Sequence, residues 1–247
     1  MLLDDVCDQL LSVAAARRVI DVRVGLGYTA VQLDDGRCGL AYTFRHATGG
    51  GCCAVKKAGT LCGQNAAELA QSAHSQDPIV AALGLATLNA LTPSGLASAG
   101  DILDLLAIEP TETVGMVGYF SPLVGPLKSK AKTLHIFEQR DDIGPGVLPA
   151  SAEEKLLPEC QVIIVSATTL LNRTIDTILG YCQGAREVAI LGPSTPLLPS
   201  VFASHGVTIL SGMEVTDPSQ ALRIISEGGG TRQLLDATRK VGLRIKS

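Results

Sequence analysis

The stretch Val114-Gly115-Met116-Val117-Gly118-Tyr119-Phe120-Ser121-Pro122 decides the fold, because a short apolar strand ends there in small polar residues and a helix then begins. The pattern recurs twice. Residues 162–165 lead into Ala167-Thr168-Thr169 and on to Asn172, and residues 188–191 lead into Gly192-Pro193-Ser194-Thr195-Pro196. Open parallel α/β sheets bind ligands outside the carboxyl ends of such strands. The pattern therefore predicts where a ligand site lies.

Outside these exits, the chain divides into two patterns. Up to about residue 95, a helix at 2–18 precedes strands at 19–26, 29–33 and 38–44 and helices at 65–75 and 78–91. After it, strands at 114–117, 133–137, 162–165, 188–191 and 207–210 alternate with helices, which predicts a doubly wound parallel sheet. We expect an α/β protein with two domains: an α+β domain at 1–95 and a Rossmann-like domain at 96–247.

Composition narrows the function classes. The 247 residues carry 46% hydrophobic side chains, a net charge of −4 and no Trp, so neither disorder nor a large nucleic-acid interface is indicated. No apolar run reaches the length of a membrane span, and the acidic N-terminus lacks a signal-peptide pattern. Seven cysteines, an odd number, favour a reducing cytoplasm. The expected partner is a small molecule, and a homodimer is the default assembly.

The order of the parallel strands decides which exits meet. In the order 3-2-1-4-5, the exits at Gly118 and Gly192 would be neighbours across the point where the order reverses. Helices capped by Ser121 and Thr195 would then direct two N-termini into one crevice, which favours an anionic group. The alternative is that Ser-Pro and Thr-Pro only start helices.

Glu138 ends the second strand of this region, about twenty residues after Gly118, where nucleotide-binding folds place the acid that holds a ribose hydroxyl. The glycine fingerprint is poor, since Tyr119 and Phe120 stand where a pyrophosphate would need space. NAD is therefore disfavoured, and an adenosine-type donor of the kind that methyltransferases use fits better. A solvated glutamate at a strand end is the alternative.

Two asparagines are candidates for binding or for structure. Asn172 precedes Thr174 at the start of a helix, so its amide either caps that helix or hydrogen-bonds a polar heterocycle. Asn89 lies within an apolar helix near the domain junction. A buried amide must be hydrogen-bonded or cost about 1–3 kcal/mol. It either braces the junction or lines the cleft.

A metal site is the third kind of candidate. Cys52 and Cys53 are adjacent in a glycine-rich loop, and His46 lies just upstream. Soft-metal coordination by these three side chains is one interpretation. Adjacent cysteines do not have the spacing of a closed zinc site, so small residues packing a tight loop are the other.

These motifs together resemble a family of bacterial and archaeal proteins called the putative heavy-metal chelation family. The resemblance covers most of residues 113–230 and extends through Val215-Thr216-Asp217-Pro218. The N-terminal half resembles the family's companion domain, a fold like the N-terminal domain of enolase, through residues 59–63 and Asn89-Ala90-Leu91. Where the family has Asn-Gly-Thr, this chain has Arg173 in the middle position.

The resemblance implies an enolase-N-terminal-like domain packed on a Rossmann-like domain, with a cleft between them. It also implies metal chelation, or the condensation or hydrolysis of a pterin-, flavin- or siderophore-like chelator. No enolase active-site signature is present, and no acid–base pair stands out that would define a mechanism.

We therefore predict a cytoplasmic protein that binds a small polar heterocyclic or metal-chelating ligand between its domains. A non-catalytic metal-binding protein and a methyltransferase-like enzyme are the alternatives. The predicted ligand-binding residues are Tyr119, Phe120, Ser121, Glu138, Thr168, Thr169, Asn172, Thr174, Pro193, Ser194, Thr195 and Asn89, and the predicted metal ligands are Cys52, Cys53 and His46.

Overall fold

The structure is a computed structural model, which describes residues 1–45, 55–98, 100–139 and 146–245. These residues form a three-stranded antiparallel sheet and a seven-stranded sheet that is parallel except at one edge. The predicted α/β class is confirmed. In the described ranges, no helix is long and apolar enough to cross a membrane.

The first unit is an antiparallel meander backed by helices, as predicted. The third helix begins as its sequence indicates: Asp77 accepts hydrogen bonds from the backbone N–H groups of Ile79 and Val80, and Pro78 is the first helical residue. The elements, in chain order, are α1 (Leu2–Ala15), β1 (Val19–Val24), β2 (Tyr28–Leu33), β3 (Cys38–Tyr42), α2 (Ala66–Ala70), a 3₁₀ turn (Gln71–His74) and α3 (Pro78–Leu91).

The second unit is the large sheet with helices on its faces. Its strands are β4 (Thr113–Val117), β5 (Thr133–Glu138), β6 (Leu148–Pro149), β7 (Val162–Ser166), β8 (Glu187–Leu191), β9 (Ile209–Val215) and β10 (Thr238–Arg244). Its helices are α4 (Ile102–Leu106), α5 (Ser121–Lys130), α6 (Glu153–Leu156), α7 (Ile175–Tyr181), α8 (Pro199–Ala203), α9 (Pro218–Ser226) and α10 (Thr231–Leu234).

In the strand order β10-β9-β8-β7-β4-β5-β6, the six strands β4 to β9 follow the dinucleotide-fold order 3-2-1-4-5-6, and the antiparallel strand β10 extends the sheet by one. The prediction that Gly118 and Gly192 are neighbours across the reversal is wrong. The two-residue strand β6 takes the third place in the order, so β7 rather than β8 lies beside β4. The exit of β4 therefore meets the exit of β7 at Ser166, and the exit of β8 is one strand further away.

Two predicted helix caps are also wrong. Ser121 is the first residue of α5, and Phe120 holds the cap position without a side-chain hydrogen bond. No helix begins at Thr195, because its N–H and its hydroxyl both donate to the Gly192 carbonyl and close a turn there. Helix α8 begins later, at Pro199.

The two units share one continuous hydrophobic core. Polar contacts also cross between them. The Tyr42 N–H donates to Ser194 Oγ at 2.8 Å, the Leu2 N–H donates to Asp176 Oδ1 at 2.9 Å, and His205 Nε2 lies 2.6 Å from Asp5 Oδ2. The antiparallel unit is thereby held against the exit of β8 and the start of α7.

Helix α3 packs unusually close to its neighbours. A Cβ atom at Gly84 would lie 1.9 Å from the backbone nitrogen of Ala73, and one at Gly39 on β3 would lie 2.2 Å from the Ala86 carbonyl oxygen. Neither neighbour is a flexible side chain that could move aside. Both glycines are therefore required by the packing of α3 between β3 and the 3₁₀ turn.

We expect Gly84→Ala to lower the free energy of unfolding by about 3 kcal/mol, because the added methyl group overpacks the backbone of Ala73. The matched control is Gly180→Ala in α7, where a Cβ would meet no atom within 4 Å. That variant should be up to about 1 kcal/mol more stable, since alanine is the better helix former. Urea unfolding of both variants measures the difference, and equal effects would contradict the packing argument.

At the amino end of the parallel strands, an ion-pair network holds the sheet to its flanking loop. Arg186 donates to both carboxylate oxygens of the buried Glu112, at 2.5 and 2.8 Å, and to the Ala107 carbonyl at 2.9 Å. The hydrogen bonds from Arg186 hold the pKa of the Glu112 carboxyl below its usual range. This network lies at the edge opposite the strand exits, so we interpret it as structural.

We expect Glu112→Gln to lower the free energy of unfolding at pH 7 by about 2 kcal/mol, since it removes charged hydrogen bonds. Because the folded-state pKa is lowered, the stabilisation is fully present above the ordinary pKa of 4.5 and is lost as pH falls below it. The difference between wild type and variant should therefore shrink in acid unfolding curves. The exposed Glu68→Gln is the control, and a difference that persists unchanged below pH 4 would contradict the assignment.

Candidate functional site

The candidate site lies where the strand order reverses, between the exits of β4 and β7. Gly118 has a φ of +90°, and a Cβ there would lie 2.8 Å from Cβ of Ser166. The Gly118 N–H still donates to the Phe137 carbonyl at 2.9 Å. The chain therefore turns sharply directly after the last hydrogen bond between β4 and β5. This turn leaves Tyr119 40% exposed beside a half-buried Phe120.

Glu138, at the end of β5, shapes this turn. Its Oε2 accepts a hydrogen bond from the Tyr119 N–H at 3.2 Å, and its Oε1 accepts one from the Gln139 N–H at 2.8 Å. A carboxylate oxygen has a second lone pair, so each can still accept a bond from a ligand. Glu138 therefore ends β5, as the sequence predicted, and its carboxylate has a structural role at the exit of β4.

A second carboxylate, which the sequence analysis missed, lies near Glu138. Glu153 is the first residue of α6 and is half-buried. Burial, and after it the negative charge of Glu138, raise the pKa of the Glu153 carboxyl. No motif marks this position, because its environment depends on the short connection through β6.

The exit of β7 contributes hydroxyl groups. Ser166 Oγ and Thr168 Oγ1 lie 2.8 Å apart, and Thr168 is partly exposed. Thr169 is buried, and its hydroxyl donates to the Ser166 carbonyl at 2.6 Å. Of these predicted residues, Thr168 can reach a ligand, whereas the Thr169 hydroxyl is engaged with the backbone.

Asn172 links the exits of β7 and β5. Its Oδ1 accepts from the N–H of Thr174 at 3.3 Å and from the Thr174 hydroxyl at 2.8 Å, while its Nδ2 donates to Gln139 Oε1 at 3.2 Å. Arg173, which lies between Asn172 and Thr174, has a φ of +63°, in the region that glycine tolerates best. The Arg173 guanidinium donates to the His74 carbonyl of the first unit at 3.3 Å.

At the exit of β8, the polar side chains are buried and bonded within the protein. Ser194 and Thr195 are buried; Ser194 Oγ accepts the Tyr42 N–H, and the Thr195 hydroxyl donates to the Gly192 carbonyl at 2.7 Å. Pro193 remains half-buried beside them. Asn89 and Thr195 line a separate pocket at the seam between the units.

The structure thus brings together one set of predicted residues and separates another. Hydrogen bonds and the close contact at Gly118 connect the exits of β4, β5 and β7, whereas the remaining residues belong to the seam. The first set is Tyr119, Phe120, Ser121, Glu138, Thr168, Thr169, Asn172 and Thr174, and the second is Pro193, Ser194, Thr195 and Asn89.

A row of aromatic side chains on the first unit was not predicted from the sequence. Tyr42 at the end of β3 makes edge-to-face contacts with Tyr28 and Phe44, with ring centroids 6.1 and 5.2 Å apart. The bond from the Tyr42 N–H to Ser194 places this row beside the exit of β8. The aromatic residues at positions 28, 42 and 44, in and beside two neighbouring predicted strands, could have indicated this row.

The predicted metal ligands His46, Cys52 and Cys53 lie outside the described residues. Among the residues that the structure describes, no group of three or more His, Cys, Asp or Glu side chains is placed to hold a metal ion. Burial raises the pKa of four thiols, to about 11 for Cys7 and Cys160 and to about 12 for Cys38 and Cys182. These four cysteines are therefore protonated core residues rather than ready metal ligands.

Similarity to known proteins places the chain in a family. Two family models with the same description, putative heavy-metal chelation, match residues 7–92 and 101–244. An uncharacterized protein of Methanocaldococcus jannaschii is 28% identical over 189 residues, which is 74% of this chain and 73% of that protein.

Two crystal structures have the same fold. A protein of unknown function from the DUF364 family of Pyrococcus horikoshii is 25% identical, with a TM-score of 0.85 and coverage of 99% of this chain and 100% of the other. A DUF364 protein of unknown function from Desulfitobacterium hafniense is 23% identical, with a TM-score of 0.81 and 98% coverage of both chains. The strand exits, the fold and the family match over residues 101–244 agree, and the chain belongs to the putative heavy-metal chelation family.

Proposed function

We propose that the protein binds a small, polar, ring-containing ligand at the reversal point between β4 and β7, and that this ligand is a metal chelator. The observation that carries the proposal is the turn at Gly118, which presses the exit of β4 against Ser166 and leaves the Tyr119 ring exposed. Ligands of open α/β sheets bind at this reversal point.

The neighbouring side chains suit a flat ligand. Tyr119 and Phe120 offer ring faces for stacking, and Thr168, Asn172 and Glu138 offer hydrogen-bonding groups around them. A few convergent polar groups beside aromatic rings are the usual composition of small-molecule pockets. The remaining lone pairs of the Glu138 oxygens would equally accept a ribose hydroxyl, so a methyltransferase-like use of an adenosine-type donor stays a prediction.

The description of the family, putative heavy-metal chelation, supports a chelator as the ligand. A pterin-, flavin- or siderophore-like molecule has the ring and polar edge that this site would recognise. For any condensation or hydrolysis at the site, Glu153 is a candidate proton donor among the described residues, because the pKa of its carboxyl is raised. An anionic tail bound by Ser194 and Thr195 has less support, since both side chains are buried in the seam.

We expect Tyr119→Ala to weaken ligand binding about fivefold and so to lower the fraction of protein that carries the ligand, since stacking contributes about 1 kcal/mol to binding. Native mass spectrometry of gently purified wild type and variant measures the fraction that carries an organic mass. Leu235→Ala is the control, because Leu235 is similarly exposed, at 43%, away from the site. Unchanged occupancy in Tyr119→Ala would contradict the proposed position of the ligand.

Direct metal binding by Cys52, Cys53 and His46 is the second candidate function, favoured by the adjacency of the two thiols in the sequence. If the ligand-based proposal is right, Cys52→Ser combined with Cys53→Ser should leave the organic mass bound and the metal content unchanged. Elemental analysis and native mass spectrometry of the same sample measure both, with the exposed Cys62→Ser as control. Loss of one metal ion per chain, with no organic mass in the wild type, would favour the second candidate.

A further inference from the structure

Helix α5 is weakened in its middle by two consecutive residues, Gly125 and Pro126. Pro126 has no N–H group, so the Pro122 carbonyl lacks the donor that a helix supplies four residues later. In a regular helix the proline ring also clashes with that carbonyl, and glycine is a poor residue for a helix interior. Helix α5 therefore consists of two halves, residues 121–125 and 126–130, which are joined by fewer backbone hydrogen bonds than in a regular helix.

The two halves are anchored differently. Leu127, in the second half, is fully buried in a hydrophobic core cluster of the sheet. In the first half, Leu123 and Val124 are half-buried against the same cluster, and the other three residues are exposed. The second half is thus fixed in the core, whereas no residue of the first half is fully buried.

The first half is also loosely held at its start. Gly118 has a φ of +90°, and the Tyr119 side chain that follows it is 40% exposed. Phe120 occupies the N-cap position without a side-chain hydrogen bond and is half-buried against the same cluster. Among the described residues, a single hydrogen bond joins Tyr119 or Phe120 to a neighbouring strand, from the Tyr119 N–H to Glu138 Oε2 at 3.2 Å.

Helix α9 shows how a helix of similar length is held more firmly in this protein. Asp217 caps it by accepting the Gln220 N–H at 3.0 Å, and Ala221, Leu222 and Ile225 are buried. Proline occurs in α9 only at the first position, where no N–H is needed. Because local opening costs least where few apolar side chains are buried, the first half of α5 should open more readily than α9.

We infer that residues 119–125 form a flap at the reversal point between β4 and β7. The flap opens locally between Gly118 and the break at Gly125-Pro126, and a ligand stacked on Tyr119 holds it closed. Opening displaces the rings of Tyr119 and Phe120 and so gives the ligand a way in and out. The opening itself is independent of the proposed function, whereas the closing by a ligand rests on it.

Amide hydrogen exchange of extensively dialysed wild-type protein, freed of any bound organic mass, measures the opening. The reporting amides are those of residues 127–129, because in a helix they donate to the carbonyls of residues 123–125. We expect their protection factors to be at least about tenfold lower than those at the matching positions of α9, residues 224–226. Equal or higher protection in α5 would overturn the inference.

The Gly125→Ala variant closes the flap without adding a contact, because a Cβ at this position would meet no atom within 4 Å. Since alanine favours the helix, the protection factors of residues 127–129 should rise about fivefold, with α9 unchanged. Gly180→Ala in α7 is the matched control, because its Cβ also meets no atom within 4 Å, and it should leave α5 unchanged. Equal effects of the two variants on α5 would contradict a break at Gly125-Pro126.

The release of ligand tests the closing of the flap. The organic mass carried by gently purified protein should dissociate about fivefold more slowly from Gly125→Ala than from wild type, because the flap opens less often. Native mass spectrometry during dialysis measures both rates, and equal rates would overturn the role of the flap in release. A wild type without any organic mass, but with poorly protected α5 amides, would overturn the proposed function and the ligand's role while the opening itself stands.

Discussion

The site depends on the reversal of strand order at β4, where the chain has to leave the sheet between two neighbouring strands. Gly118 meets this constraint with a φ of +90° and no side chain, because a Cβ would lie 2.8 Å from Ser166. Its N–H completes the ladder to β5, and the next N–H, that of Tyr119, is held by Glu138. The exposed ring takes its position from this turn, the carboxylate bonds to it, and Ser166 at the exit of β7 lies against it.

The first unit contributes to the same architecture by covering the exit of β8. The Tyr42 N–H and Ser194 Oγ join the two units, and the buried hydroxyls that resembled an anion site instead close this contact. Polar residues at a strand exit therefore have two uses in this fold. At β4 and β7 they lie partly exposed at the reversal point, whereas at β8 they hold the antiparallel unit in place.

Much of the fold could be predicted from local patterns, because apolar runs and helix starts such as Asp77-Pro78 depend on neighbouring residues. The strand order and β10 depend on distant pairing, and the two residues of β6 are too few for a periodic signal. Because β6 was not predicted, Gly192 rather than Ser166 was expected beside Gly118. Glu153 was missed for the same reason. The domain boundary near residue 95, a cytoplasmic location and a homodimer stay predictions.

The central claim is that a ring-containing ligand lies between the exits of β4 and β7. The most direct test is a crystal structure of protein purified gently enough to keep its ligand. We predict flat density against Tyr119, within hydrogen-bonding distance of Thr168 or Asn172. Density for a metal ion on Cys52 and Cys53, with none beside Tyr119, would contradict the claim and assign chelation to the loop.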